Sequence, residues 1–349
     1  MKNIVINYNI FTNKINDKKI LVLSDIHDYP WKRNNKFVDD IVNAESDLIL
    51  IPGDLMISKK YSKGSLSLFY LKDFLRIISE KSPVFLGMGS YELDGATIGT
   101  IQGYRDLEKS REGRVFSLYN ESIEMDDLRI TEFHPRHSAF SNSIQKSGKA
   151  LLDFYNDYED IGFDSVKDDK KYNILLCHNP KLFAQARSIG EQLKLDLYKE
   201  DFDRMVNFSN KMANYDLVVS GHMHNGYIPV SKTVEKPEKY LDNGYCNVPI
   251  EKDINGEINF IRPWLFKKTD MCRGTIYIGG TDLRIIHLCN GKYYIKDKIN
   301  NPISEITKEK ALQTIETFKM VPVVISGGVN KYYLPFDSTE VTQVKILKK

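Results

Sequence analysis

One local pattern recurs along this chain and limits what it can fold into: a short apolar run that ends abruptly in polar residues. Five segments have this pattern: KKILVLSD (18–25), DLILIPGD (47–54), SPVFLGMGSYE (82–92), YNILLCHNP (172–180) and YDLVVSGHMHNG (215–226). Such runs are typical of buried strands, and in open α/β sheets ligands bind outside the carboxyl ends of the strands. The pattern therefore predicts buried strands whose carboxyl ends open onto a site.

Helical periodicity separates the first three of these runs. Residues 32–45 and 64–81 carry apolar side chains at helical spacing, so the chain opens with a βαβαβ order. Two or three antiparallel strands are predicted over 114–133, and a helix over about 141–160. The expected fold is α/β with a mostly parallel sheet.

The second half of the chain is less regular. A long connection rich in Pro, Gly and Asn follows residue 226, and connections of that length are often functional. Closing strands are predicted at 274–280, 284–288 and 292–297. A helix near 305–318 and the strand VPVVIS come last. We predict one domain over 1–298 and a C-terminal extension over 299–349 that is packed on it or appended to it.

Composition argues against several function classes. The 349 residues are 42% hydrophobic and 28% charged with a net charge of +2, which is typical of a soluble globular protein. There is no clustered basic excess of the kind that nucleic-acid binding needs. No segment has the pattern of a secretory signal or the length of a spanning helix, and the four cysteines lack CxxC spacing. We expect a cytoplasmic protein with no membrane anchor and no nucleic-acid partner.

The polar residues at the strand ends are of the types that ligate metals. They are Asp25, His27, Asp54, His178, His222 and His224. Side chains at i and i+2 of a strand point the same way, so D-x-H and H-x-H each place two ligands on one side. A single histidine after a strand is usually an ordinary hydrogen-bonded residue, but four such motifs in succession favour a metal site. Mixed carboxylate and imidazole ligands suit Mn, Fe or Zn.

In these motifs the chain resembles the calcineurin-like metallophosphoesterases. The family pattern is D-x-H, then G-D, then G-N-H-[DE], then H, then G-H-x-H, and the resemblance covers about residues 18–290. It implies a four-layer α/β fold, in which a two-sheet sandwich is flanked by helices. The long connection after GHMH and the segment GTIYIGGTDLRIIHL are similar to small bacterial phosphoesterases related to peptidoglycan- and lipid-linked enzymes.

The resemblance also implies roles for the ligand-type residues. Asp25, His27 and His224 would bind one divalent metal ion, and His178 and His222 a second. Asp54 would bridge both ions. The implied activity is hydrolysis of a phosphomonoester or phosphodiester by metal-bound hydroxide, with a small-molecule or lipid-linked phosphate ester as substrate.

The third motif departs from the family pattern. Where the family has G-N-H-E, this chain has Gly89, Ser90, Tyr91 and Glu92. In the family the asparagine ligates the second metal and the histidine protonates the leaving group. A serine hydroxyl is a weak ligand, and a phenol with a pKa of about 10 is a poor acid at neutral pH. The candidate catalytic residues are Tyr91, Asp54 and Ser90.

Three interpretations of this departure stay open. The chain is an active enzyme that uses Tyr91 or another group as acid, a degenerate protein that binds metal and a phosphate ligand without efficient turnover, or an enzyme of divergent activity. His134 and His137 in TEFHPRHS are possible substitute acids, although two ordinary surface histidines are the more usual explanation. Hydrolysis of an activated aryl phosphate by Mn-loaded protein would distinguish an enzyme from a protein that only binds metal and phosphate.

The remaining motifs are weaker. The segment ISGGVNKYY (325–333) is rich in glycine but lacks the Lys-Ser/Thr of a phosphate-binding loop. Aromatic residues beside the ligand motifs either line a substrate cleft or pack a loop; they are Tyr29, Trp31 and Tyr227. Cys177 points to the opposite face from His178 and is predicted to lie in the core. Substrate specificity is assigned to loops at about 28–33, 92–105 and 227–273.

Overall fold

The structure is a computed structural model. The residues that it describes are 2–27, 36–55, 66–94, 98–110, 113–134, 170–179, 215–222, 227–231, 245–248, 264–268, 274–279, 284–289, 292–296, 304–326, 328 and 338–349.

The described strands are, in chain order, β1 (Lys2–Thr12), β2 (Lys18–Val22), β3 (Leu48–Ile51), β4 (Val84–Leu86), β5 (Val115–Ser117), β6 (Ser122–Met125), β7 (Leu128–Glu132), β8 (Tyr172–Leu176), β9 (Leu217–Ser220), β10 (Tyr227–Ser231), β11 (Tyr245–Val248), β12 (Trp264–Lys268), β13 (Gly274–Gly279), β14 (Arg284–Cys289), β15 (Lys292–Lys296), β16 (Ser304–Ile306), β17 (Val321–Ile325) and β18 (Ser338–Lys348). The described helices are α1 (Lys36–Val42), α2 (Leu66–Ile78), α3 (Ser90–Asp94), α4 (Ile98–Ser110) and α5 (Lys308–Thr317).

Two large sheets dominate the architecture. The first has the strand order β1-β18-β2-β3-β4-β5, and the second has the order β16-β15-β14-β13-β17-β9-β8-β7-β6. In the first sheet β2, β3, β4 and β5 run parallel, and in the second β7, β8, β9 and β17 run parallel. A small third sheet has the order β10-β12-β11. The predicted mixed α/β fold with two main sheets is confirmed.

The alternation of side chains along β2 and β3 shows how the layers are held together. Val22 and Leu50 belong to an apolar cluster that also contains residues of β7, β8 and β9, so this cluster is the core between the two sheets. Leu21 and Ile49 point the other way, into a cluster with residues of α1 and α2. Each of these side chains is almost fully buried, and each such burial contributes about 1.5–3 kcal/mol. The sandwich and the helical layer on the first sheet are thus present, whereas the helix expected at 141–160 lies outside the described residues.

One predicted strand, β5, pairs with a different neighbour and in a different direction from those expected. The segment 114–133 was expected to form only antiparallel strands, but β5 pairs in parallel with β4 in the first sheet, and only β6 and β7 form an antiparallel pair. A parallel neighbour needs a crossover, and α4 provides it. Helix α4 therefore occupies much of the stretch 92–105 that was interpreted as a specificity loop. Phe116 on β5 stacks on Phe85 of β4 at 4.9 Å between ring centroids.

The C-terminal segment contributes strands to both large sheets. Strand β17 lies between β13 and β9, and β18 lies between β1 and β2. Helix α5, capped by the hydroxyl of Thr307, packs against β15. Ala311 of the helix and Ile295 of the strand share an apolar cluster with Met320. The division into 1–298 and 299–349 stays a prediction, but the strands of the second part lie within the sheets rather than beside them. No helix among the described residues has both the length and the apolar character needed to cross a bilayer.

Candidate metal centre

The ligand-type residues follow directly after strands from both sheets. Asp25 and His27 follow β2, and Asp54 follows β3, its parallel neighbour. His178 and His222 follow β8 and β9, which are parallel neighbours in the second sheet. The sheets meet here directly, because the backbone N–H of His222 donates to the carboxylate of Asp25, at 3.1 Å from Oδ1 and 3.0 Å from Oδ2.

These residues form two overlapping groups. Ligand atoms of Asp25, His27 and Asp54 lie within 4.8 Å of one another, and so do those of Asp54, His178 and His222. Asp54 belongs to both groups. Its Oδ2 lies 3.0 Å from Nε2 of His178 and 4.0 Å from Nε2 of His27. The geometry therefore places one carboxylate between two sets of potential ligands.

The backbone at this site is held in an unusual conformation. Four of the five residues have positive φ angles: 54° at Asp25, 49° at His27, 53° at Asp54 and 66° at His222. Residues other than glycine adopt this left-handed region infrequently, and it costs free energy. Such outliers concentrate at functional sites, where the surrounding structure imposes them. The clustering here supports a functional role for this edge of the sandwich.

The electrostatics of the site centre on Asp54 and His178. Burial by itself would raise the pKa of Asp54, but the nearby charge of His178, together with those of His27 and His222, outweighs it and holds that pKa well below its usual range. Burial would lower the pKa of His178, but the carboxylate of Asp54 raises it to about 9. The site thus keeps a negative charge among buried imidazoles.

This arrangement fits a pair of divalent cations. Asp25, His27, Asp54 and His178 are each at most 3% exposed, so their donor atoms point into the protein. Carboxylates and imidazoles at these separations are ligands that Mn, Fe and Zn accept. A carboxylate common to two ligand groups is what two neighbouring cations require, because it offsets their mutual repulsion. The assignment of each residue to a metal stays a prediction.

Sequence comparison agrees with this geometry. A family model described as calcineurin-like phosphoesterase matches residues 18–226, more than half of the chain and all of the ligand motifs. This chain belongs to the calcineurin-like phosphoesterase family. Membership implies metal-dependent hydrolysis of phosphoesters and binding of divalent metal ions. No curated protein is significantly similar to it in sequence.

Solved structures also resemble this chain at low identity. A dimetal phosphatase from Danio rerio is 10% identical, with coverage of 83% of this chain and 98% of the other and a TM-score of 0.32. A protein of Thermus thermophilus is 13% identical, with coverage of 80% and 98% and a TM-score of 0.33. A predicted phosphoesterase of Streptococcus pneumoniae is 9% identical, with coverage of 84% and 99% and a TM-score of 0.21. TM-scores this low do not bear on the function.

The altered third motif of this chain lies against Asp54. Ser90 Oγ is 3.2 Å from Oδ1 and 3.0 Å from Oδ2 of Asp54, and the N–H of Tyr91 donates to Oδ1 at 3.0 Å. The ring of Tyr91 meets that of His27 edge to face at 5.1 Å. At Gly89 a Cβ atom would come within 2.2 Å of Asp54, so only glycine fits there. The predicted catalytic positions therefore adjoin the ligand groups, while their catalytic role stays a prediction.

Glu92 is a supporting residue whose role the sequence did not reveal. Its Oε2 accepts hydrogen bonds from the N–H groups of Asp54 at 3.0 Å and Gly89 at 2.9 Å, and its Oε1 accepts one from Tyr104 at 2.9 Å. Glu92 is 1% exposed. The carboxylate thereby joins the second and third motifs. A glutamate at the last position of the family motif was the available signal.

His134 is not the surface histidine that the sequence favoured, because it is only 5% exposed. Its Nδ1 lies 2.9 Å from both oxygens of Glu132, and its Nε2 lies 3.3 Å from Nδ2 of Asn120. Glu132 also accepts from the N–H of Met88 at 3.2 Å, so it links the second sheet to the residue that precedes the third motif. The alternation E-x-H in TEFH was the signal for this pair. A role for His134 as an acid stays a prediction.

The remaining predicted site residues fall into two groups. Cys177 is fully buried, as predicted, and burial together with the charge of Glu132 raises the pKa of its thiol. Four others lie outside the described residues: His224, His137, Tyr29 and Trp31. The backbone of Tyr227 is described, but its side chain is not.

Proposed function

We propose that this protein is a dinuclear-metal phosphoesterase that hydrolyses a phosphomonoester or phosphodiester. The observation that carries the proposal is the position of Asp54, which belongs to both ligand groups and lies 3.0 Å from His178 and 4.0 Å from His27. A mononuclear site would not need a carboxylate shared in this way. The proposed cofactors are two divalent ions, Mn, Fe or Zn.

The proposed roles follow the two ligand groups. Asp25, His27 and His224 would hold one ion, and His178 and His222 would hold the other. Asp54 would contribute its carboxylate to both. Two such ions would supply activation of water at neutral pH and compensation of the charge that develops on the phosphate. The protein fixes their positions by burying the carboxylates and by anchoring Asp54 through Ser90 and Glu92.

The third motif suggests which substrates are favoured. Ser90 donates to Asp54, and Tyr91 lies beside His27, so neither offers the imidazole that protonates a leaving group in the family pattern. Without a strong acid, esters whose leaving group is already a good one are hydrolysed preferentially. The proposed substrate is a small-molecule or lipid-linked phosphate ester, and we expect a slow enzyme.

The proposal is tested with Mn²⁺-loaded protein and two chromogenic substrates, p-nitrophenyl phosphate and bis(p-nitrophenyl) phosphate. Hydrolysis of at least one is expected, with loss on chelation and in Asp54→Asn. Asp126→Asn is a matched control, because Asp126 also has a left-handed φ, 52°, but lies on the exposed turn between β6 and β7. Metal-loaded protein that hydrolyses neither substrate would instead support a non-catalytic metal- and phosphate-binding protein.

A further inference from the structure

The glycine-rich segment ISGGVNKYY begins at the end of β17, and β17 ends at the metal centre. This strand runs parallel to β9, with Ile325 paired to Ser220. Ser326 continues the alignment, since its N–H donates to the carbonyl of Ser220 at 3.0 Å. His222 lies two residues after Ser220. The chain leaving β17 therefore emerges beside the chain that carries His222.

Gly328 packs directly on the side chain of Asp25. A Cβ atom at Gly328 would lie 3.2 Å from Cβ, 3.6 Å from Oδ2 and 3.7 Å from Cγ of Asp25. Gly328 is buried and has a φ of +88°, a conformation that L side chains rarely adopt. Both the space and the backbone thus favour glycine at this position.

The carboxylate of Asp25 is enclosed by other groups as well. Ser24 donates its hydroxyl to Oδ2 at 2.6 Å, and the N–H of His222 donates to both oxygens. A Cβ at Gly221 would lie 2.7 Å from the same Oδ2. Gly328 adds a backbone contact from a third part of the chain, so the position of Asp25 is determined by β2, β9 and β17 together.

Ser326 fixes Gly328 in place. Its buried hydroxyl oxygen accepts from the N–H of Gly328 at 3.4 Å and from the hydroxyl of Thr342, on β18, at 3.3 Å. Because β18 belongs to the first sheet and β17 to the second, this hydroxyl connects the glycine to both sheets.

We propose that Gly328, anchored by Ser326, is a positioning residue for Asp25 in the metal centre. The proposal rests on the proposed function, since it assumes that Asp25 ligates a metal. Gly328 lies outside residues 18–226, which the family model matches. Metal–ligand distances tolerate changes of only about 0.2 Å. A methyl group at Gly328 that displaces Asp25 by more than this would therefore lower the affinity for the metal ion.

The test compares Mn²⁺ binding to metal-free, full-length wild type, Gly328→Ala and Gly113→Ala by titration calorimetry, with thermal unfolding of each metal-free protein. Gly113 has a φ of +73°, but a methyl group there would have no neighbouring atom within 4 Å, so its variant carries the backbone strain without the contact. Residues that orient metal ligands typically change affinity about 10–100-fold when mutated. We expect a loss in that range for one binding event in Gly328→Ala and wild-type affinity in Gly113→Ala.

A Gly328→Ala variant with wild-type affinity overturns the proposal. Ser326→Ala serves as a second variant, because it removes the anchoring hydroxyl without adding an atom near Asp25. It should also weaken one Mn²⁺ binding event, by about tenfold. If Gly328→Ala fails to fold, unchanged affinity in Ser326→Ala overturns the proposal by itself. If the wild type binds no metal ion, the proposed function is contradicted. If the wild type binds Mn²⁺ and both variants bind it with the same affinity, only this inference is contradicted.

Discussion

Ser90 donates its hydroxyl to the carboxylate of Asp54, at 3.2 Å from Oδ1 and 3.0 Å from Oδ2. The family pattern has an asparagine here, whose amide oxygen ligates the second metal. In this chain the residue instead supports the carboxylate that both ligand groups share. The third motif has thus kept its position next to Asp54 while its chemistry has changed.

Restoring the family motif should therefore improve the second metal site and the chemistry together. In Ser90→Asn with Tyr91→His, the amide oxygen becomes available as a ligand and the imidazole as an acid. A positioned acid contributes about 10²–10⁴-fold to the rate. The kcat on an alkyl phosphate should therefore increase by a factor approaching that range, and the kcat on p-nitrophenyl phosphate by a smaller factor. Steady-state kinetics on both substrates measure the difference. An equal gain on both would show that acid catalysis is not what the natural chain lacks.

The phenol of Tyr91 should matter little to the proposed hydrolysis. Tyr91→Phe keeps the ring that meets His27 at 5.1 Å and removes only the hydroxyl. On p-nitrophenyl phosphate its kcat should stay within about twofold of wild type, because that leaving group needs little protonation. A plot of log kcat against leaving-group pKa should be steep for both proteins. Loss of activity in Tyr91→Phe would make Tyr91 a catalytic residue.

Glu92 should be the most sensitive supporting residue. Glu92→Gln weakens two hydrogen bonds accepted by a buried carboxylate from Asp54 and Gly89, and hydrogen bonds to charged groups are each worth about 1.5–3 kcal/mol. The free energy of unfolding should fall by about 2 kcal/mol or more. Tyr104→Phe is the matched control, since it removes only the hydrogen bond to Oε1. Denaturant unfolding that ranks Tyr104→Phe as the more damaging change would be inconsistent with this account.

Metal binding should release a proton from His178. In the metal-free protein Asp54 raises the pKa of His178 to about 9, so the ring is protonated at neutral pH. A histidine must be neutral to ligate a metal, so affinity should rise with pH until about pH 9 and level off above it. Calorimetry in buffers of different ionisation enthalpy counts the protons. The count should fall by about one in His178→Asn, and an unchanged count would exclude His178 as the source.

The sequence was most informative where a strand is followed by candidate metal-ligating residues. The runs that end at Asp25, Asp54, His178 and His222 became strands β2, β3, β8 and β9, because an apolar run followed by a polar residue has few other stable solutions. The same reasoning failed for β5. Its three residues carry no signal that distinguishes a parallel from an antiparallel neighbour, and the deciding feature is the crossover helix α4.

Contacts between distant segments could not be predicted in this way. Gly328 lies against Asp25 although about 300 residues separate them, and Glu132 reaches Met88 across the two sheets. Neither pair has a periodic or spaced pattern that a single sequence displays. For the same reason the sequence did not predict that β17 and β18 of the C-terminal segment lie inside the two sheets.

The proposed function requires Asp54 to serve two metal ions, and metal stoichiometry after Mn²⁺ loading tests this requirement. Wild type and the control Asp126→Asn should each bind two ions per chain at saturating Mn²⁺, measured by equilibrium dialysis and plasma mass spectrometry. Asp54→Asn removes the negative charge between the two ligand groups, so it should lose both ions together. Retention of one tightly bound ion in Asp54→Asn would contradict the claim, because it would show that only one of the two groups depends on this carboxylate.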